Sequence, residues 1–163
     1  MAVTCSQSAT VTLPADDQIL ITREFDAPRH LVYEAWTTPE LVRQWWHANR
    51  GEMKVAEIDL RVGGRWRYAM VTPDGFEVAF NGEYRELVPN ERIVSTEAYE
   101  GAPEAGETVN TLTLSEADGG TRLTILVQCP SQEVRDAIIE SGMEAGMQDA
   151  LDLLEQVAVS RGS

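Results

Sequence analysis

The alternation of apolar and polar positions divides the chain into recognisable elements. Residues 18–25, QILITREF, are rich in β-branched and aromatic side chains and predict a first strand. Pro28 sits where a helix begins, with Asp26 as its expected cap. Leu31, Val32, Ala35 and Trp36 then recur at helical spacing. Pro39 opens a second short helix whose apolar side is Leu41, Val42, Trp45 and Trp46. From residue 53 the period becomes two. In MKVAEIDLRVGG, Ala56, Ile58 and Leu60 alternate with Glu57, Asp59 and Arg61, and Gly63-Gly64 makes a turn. In RWRYAMV, Trp66, Tyr68 and Met70 share a face. In FEVAFNGEYRELV, Phe76, Val78, Phe80, Tyr84 and Val88 share one parity while Glu77, Glu83 and Arg85 share the other. RIVSTEAYE, VNTLTLSE and TRLTILVQC complete six strands, with an acidic loop over 100–107 and a turn at Asp118-Gly119-Gly120. One apolar and one wet face per strand means an antiparallel sheet. Ser131 starts a last helix in which Ile139, Met143, Met147, Ala150, Leu154 and Val157 form an apolar stripe seven to eight turns long. The apolar face of the sheet needs a cover, and this helix is the only long amphipathic element. The expectation is an α+β fold in which a curved antiparallel sheet grips the C-terminal helix, with two short helices after the first strand. Residues 1–17 read as a flexible tail and 18–160 as one domain.

Several segments together resemble the activator-of-heat-shock-protein-90-ATPase homologue family of the START-like, helix-grip superfamily. They are DAPRHLVYEAWTTPELVRQWW (26–46), DLRVGGRWRY (59–68), DG (74–75), GEYRELVPNERIVST (82–96) and GGTRLTI (119–125). That superfamily includes polyketide cyclases and lipid-transfer domains. The resemblance implies a cavity between helix and sheet that takes a small apolar or amphipathic molecule. Two positions depart from the family pattern. Gly146-Met147 stands where a Gly-Trp pair is common, and Thr96-Glu97 where a Thr-Trp pair is common. Both imply a pocket less aromatic and more acidic than usual. Eukaryotic activators carry a separate N-terminal domain, for which a chain of this length has no room.

Charge narrows the partners. Against 27 Asp+Glu the 163 residues carry 13 Lys+Arg, a net of −14. Nucleic acid and anionic membranes both attract basic patches, so neither is expected as a partner. Residues 100–163 alone carry a net of −9. Asp136, Glu140, Glu144, Asp152 and Glu155 read as a solvated helix face; the sharper alternative is docking to a basic protein. A protein partner or homodimer stays open. No apolar run reaches the roughly 20 residues of a membrane span, and the first residues lack the pattern of a signal peptide, so a cytoplasmic protein is expected. Cys5 and Cys129 are expected to be free thiols.

No phosphate loop, dinucleotide fingerprint, nucleophile elbow or zinc spacing occurs, so no cofactor or metal is expected. His47 and His30 read as surface or capping residues. The cavity lining expected from parity is Trp66, Tyr68, Phe80, Tyr84, Asn110, Met143 and Met147. Glu86 shares the parity of Phe80 and Tyr84. An inward carboxylate would take a polar ligand group, or act as the acid/base of a cyclase- or hydratase-like enzyme through a raised pKa. The plainer alternative is a Glu bonded to backbone or an arginine, and a bulge at Asn81-Gly82 would invert the parity. For Glu97 and Tyr99 the parity is undecided. Binding leads, acid/base catalysis is the alternative, and a chaperone or protein-interaction module is the third reading.

Overall fold

The computed structural model describes residues 9–161. An antiparallel sheet of eight strands has the order β1-β2-β8-β7-β6-β5-β4-β3. The strands are β1 (Thr10–Thr12), β2 (Gln18–Phe25), β3 (Glu52–Ile58), β4 (Arg65–Val71), β5 (Glu77–Val88), β6 (Arg92–Tyr99), β7 (Glu107–Ala117) and β8 (Gly120–Gln128). Helices α1 (Arg29–Thr37) and α2 (Pro39–Trp45) follow β2; α3 (Gln132–Glu140) and α4 (Met143–Arg161) end the chain. The core lies between α4 and the concave sheet face, where Ile19, Val32, Val42, Leu123 and Leu154 have 0% exposure. The expected α+β helix-grip architecture is present.

Four local expectations are corrected. Part of the segment read as a tail forms β1, paired with β2 from Thr10↔Thr22 to Thr12↔Leu20. Ala9 is held to α4 by both sides of one amide: its N–H donates to Gln148 Oε1 and its carbonyl accepts from Gln148 Nε2. Residues 1–8, Cys5 among them, lie outside the described residues. The first helix is entered through Pro28 without a side-chain cap, so Asp26 does not cap it; the Asp26 N–H instead donates to Glu155. The long C-terminal helix is two helices. Ser131 caps α3 by accepting from the Val134 N–H at 3.2 Å, as expected of a helix start. Gly142, at φ +85°, ends it, because glycine enters that left-handed region without a Cβ clash. Finally, Phe76 and Leu60, placed by alternation on apolar faces, are exposed at the sheet periphery.

Candidate functional site

The concave face is built from rows of side chains that run across neighbouring strands. Register pairs Tyr68 with Phe80 and Phe80 with Tyr99, which makes an aromatic row over β4, β5 and β6. Trp46, just after α2, closes over it, with its ring 5.6 Å from Tyr68 and 5.8 Å from Phe80. Phe80 and Tyr99 rings are 5.0 Å apart, and Trp66 and Tyr68 rings 4.8 Å. A second row runs Tyr84↔Ser95, Ser95↔Asn110 and Asn110↔Val127. Between the rows lie Gly82, opposite Trp66, and Glu97, opposite Thr108.

Gly82 is required by close approach. A Cβ there would sit 1.8 Å from the Thr96 carbonyl oxygen and 2.6 Å from Trp66 Nε1. The Trp66 indole therefore packs onto bare backbone. Its N–H is buried with no acceptor among the described residues. A buried donor without a partner costs about 1–3 kcal/mol.

Burial along this face is graded. Trp66, Tyr68 and Tyr84 are buried, whereas Trp46, Phe80, Glu97, Tyr99, Asn110, Met143 and Met147 keep intermediate exposure although they face inward. Their partial exposure leaves side-chain surface on this face that the protein does not fully cover. Burial pushes up the Tyr68 hydroxyl well above the ordinary tyrosine value, and Tyr84 to about 12. Both hydroxyls stay neutral.

Glu86 is not on this face. The β5–β6 register shifts between Tyr84 and Glu86, a bulge that turns the next side chains to the opposite faces. Glu86 is exposed, with its Oε1 accepting from Arg92 Nε at 3.0 Å. The premise of an inward Glu86 is therefore overturned. Glu86→Gln should change the unfolding free energy by no more than about half a kcal/mol, since it removes one surface ion pair. Chemical denaturation measures it, and a loss above 1.5 kcal/mol would contradict this placement.

The interior carboxylate is Glu97. Asn110 Nδ2 donates to its Oε1 at 3.1 Å, and Asn110 Oδ1 in turn accepts from Thr108 Oγ1 at 2.9 Å. The amide is thereby oriented with its NH₂ toward the acid. Burial raises the Glu97 pKa, and the Asn110 hydrogen bond opposes the rise in part. A folded pKa above the unfolded one means the folded state binds more protons. This contribution to stability is full below the free value of about 4.3 and is lost as pH rises through the folded value. Urea midpoints of Glu97→Gln between about pH 4 and pH 8 should fall less with pH than those of the wild type. Parallel curves would show that Glu97 is not desolvated.

The remaining candidates are structural. His47 Nδ1 accepts from the Asn49 N–H at 2.9 Å, and His30 is exposed. Cys129 is free and buried. A separate groove of about 430 Å³ is lined by Asn81, Ala98, Tyr99, Glu100, Pro103, Gly106 and Glu107. Its Asn81, Glu100 and Glu107 side chains are already partnered. Arg67 makes two hydrogen bonds to Glu100, which also accepts from Asn81, and these hold the Glu100 pKa below the usual carboxylate value.

Pattern reading missed Arg23. Alternation places it on the inner face of β2, where its side chain has 0% exposure and reaches Asp152 at 2.7 Å and Glu155 at 2.9 Å. Its guanidinium also lies 5.0 Å from the Phe25 ring centre. The signal was available in the sequence: Arg23 shares the odd parity of Ile19, Ile21 and Phe25. Two of the five helix acids expected to be a solvated face, Asp152 and Glu155, therefore engage Arg23 instead, Asp152 from a half-exposed position.

A curved antiparallel sheet closed over a C-terminal helix, with two short helices after an early strand, defines a START-like helix-grip domain. The chain belongs to the Activator of Hsp90 ATPase homolog 1-like family, whose model matches residues 26–158. A solved structure from Rhodobacter sphaeroides is 26% identical, with a TM-score of 0.87, covering 94% of this chain and 99% of that one. One from Chromobacterium violaceum is 31% identical, with a TM-score of 0.78, covering 88% and 98%. One from Mycobacterium smegmatis is 26% identical, with a TM-score of 0.82, covering 91% and 96%. No curated protein matches the chain.

Proposed function

We propose that the protein binds a small amphipathic molecule in the hollow between α4 and the concave sheet face. The observation that carries this reading is a set of inward-facing side chains that protein packing leaves incompletely covered. Trp46, Phe80, Tyr99, Met143 and Met147 supply apolar surface, and Glu97 and Asn110 supply a polar end. Small-molecule sites commonly combine such a lining with a few oriented polar groups. Methionine and aromatic side chains adapt to irregular apolar shapes.

Native mass spectrometry of protein taken directly from cells should show a retained small molecule. Met147→Trp fills the hollow from α4 and should abolish retention while leaving the fold intact by circular dichroism. Absence of any adduct, or equal retention by the variant, would remove the binding reading.

Acid/base chemistry is the second reading, and the raised proton affinity of Glu97 favours it. It assigns to Glu97 the role that alternation had suggested for Glu86. Docking to a basic partner through the acidic helix draws less support, because Asp152 and Glu155 are engaged by Arg23. No described helix is long and apolar enough to cross a membrane.

A further inference from the structure

We infer that the ligand carries an amine, and that Glu97 is the residue that selects it. The inference rests on the binding reading above and adds the chemical class of the polar group.

Several carboxylates on the sheet and on α4 have their own cations, and Glu57, Glu77, Glu116 and Glu144 are exposed to water. Asp152 and Glu155 share Arg23; Glu86 has Arg92; Glu100 has Arg67; Glu83 and Glu107 share Arg85. Glu97 is the inward carboxylate that forms no ion pair among the described residues. Its one hydrogen bond is the neutral contact from Asn110 to Oε1. A desolvated carboxylate needs more than one neutral donor, and a cation beside it supplies the missing interaction.

The surroundings suit that cation. The aromatic row of Tyr68, Phe80 and Tyr99 borders Glu97, and aromatic faces attract ammonium groups electrostatically. Tyr68 is near enough to sense the Glu97 charge. Thr108 and Asn110 fix the acid before any ligand arrives, so little ordering is left to be done on binding. At a net charge of −14 the whole molecule also draws cations toward it. A carboxylic acid would meet repulsion from Glu97, and an alcohol would forgo the ionic part of the contact. The chemistry therefore points to an ammonium group on an apolar or aromatic body.

Three matched probes separate these cases: 4-phenylbutylamine, 4-phenylbutan-1-ol and 4-phenylbutanoate, titrated calorimetrically into wild type and Glu97→Gln. In wild type the amine should bind at least about tenfold more tightly than the alcohol, as a charge-assisted contact exceeds a neutral one by that order. The carboxylate should bind most weakly. In Glu97→Gln the amine should fall to the affinity of the alcohol, whose own affinity stays unchanged. The wild-type comparison needs no variant, so it holds even if the substitution disturbs folding. An amine with no advantage over a binding alcohol would overturn the amine assignment and leave the hollow a binding site. An advantage that persists in Glu97→Gln would assign the preference to general surface charge and also overturn it. If none of the three binds, the binding reading falls together with the assignment.

Discussion

Arg23→Met should lower the unfolding free energy by about 3–5 kcal/mol, the range for removing one partner of a buried ion pair. Arg23 is the largest fully buried side chain among the described residues, and its charge is tolerated only because two carboxylates from α4 meet it. The methionine keeps most of the volume, so the loss reports the charges and not a cavity. Glu155, with 16% of its side chain exposed, is then left without its cation, while Asp152, at 43%, can turn to water. The double variant Arg23→Met/Glu155→Met removes the stranded charge and should recover part of the loss, because apolar replacement of a whole buried pair is often close to neutral. It will not recover all of it, since Glu155 Oε2 also accepts from the Asp26 N–H at 2.9 Å. Urea denaturation of the two variants measures both quantities. A single-variant loss under 1 kcal/mol would show that the pair does not hold α4 to β2.

Leu154→Ala should cost about 2–5 kcal/mol and lower the melting temperature by about 4–20 °C. Leu154 is fully buried on the α4 face that meets the sheet, with Leu151, Val157 and Ala158 buried beside it. Met147→Ala is the informative contrast. Met147 lies two turns earlier on the same helix but keeps intermediate exposure, and in the proposed function it borders the ligand. Its truncation should cost about 1 kcal/mol or less, because less surface is removed from contact. Thermal melts of both variants test the gradient along α4. Equal losses would mean that the N-terminal half of the helix is packed as tightly as the rest, which leaves no room for a ligand. A loss under about half a kcal/mol for Leu154→Ala would refute the assigned helix face.

Most of the fold was legible because strand alternation and helix periodicity are local. The six strands from residue 52 onward, β2 and the two short helices all follow from spacing, turns and the two prolines, Pro28 and Pro39. The break at Gly142 was less legible, since the apolar stripe continues across it and only a left-handed glycine ends α3. Strand β1 was not legible. Three residues, TVT, carry no usable period, and their place is decided by pairing with β2 and by Gln148 on a distant helix.

The candidate site was legible only up to the first irregularity. Trp66, Tyr68, Phe80 and Tyr84 fall on the concave face as parity requires. Past Tyr84 the bulge adds a residue, and Glu86 leaves for the wet side with Arg92. Glu97 was ambiguous because β6 has small or polar residues on both faces: Ser95 on one, Thr96 and Ala98 on the other.

The amino-acid sequence by itself determined the strand and helix pattern, the helix-grip family, the strong acidity and the aromatic lining of one sheet face, since each depends on neighbours close along the chain. Only the tertiary structure decided which acids are inside and what they meet. Arg23 and its partners are separated by 129 and 132 positions, Glu97 and Asn110 by 13, and the bulge that expels Glu86 exists only where β5 is paired with β6. The cost of burying a charge is set by the groups around it in space, and no local period records them.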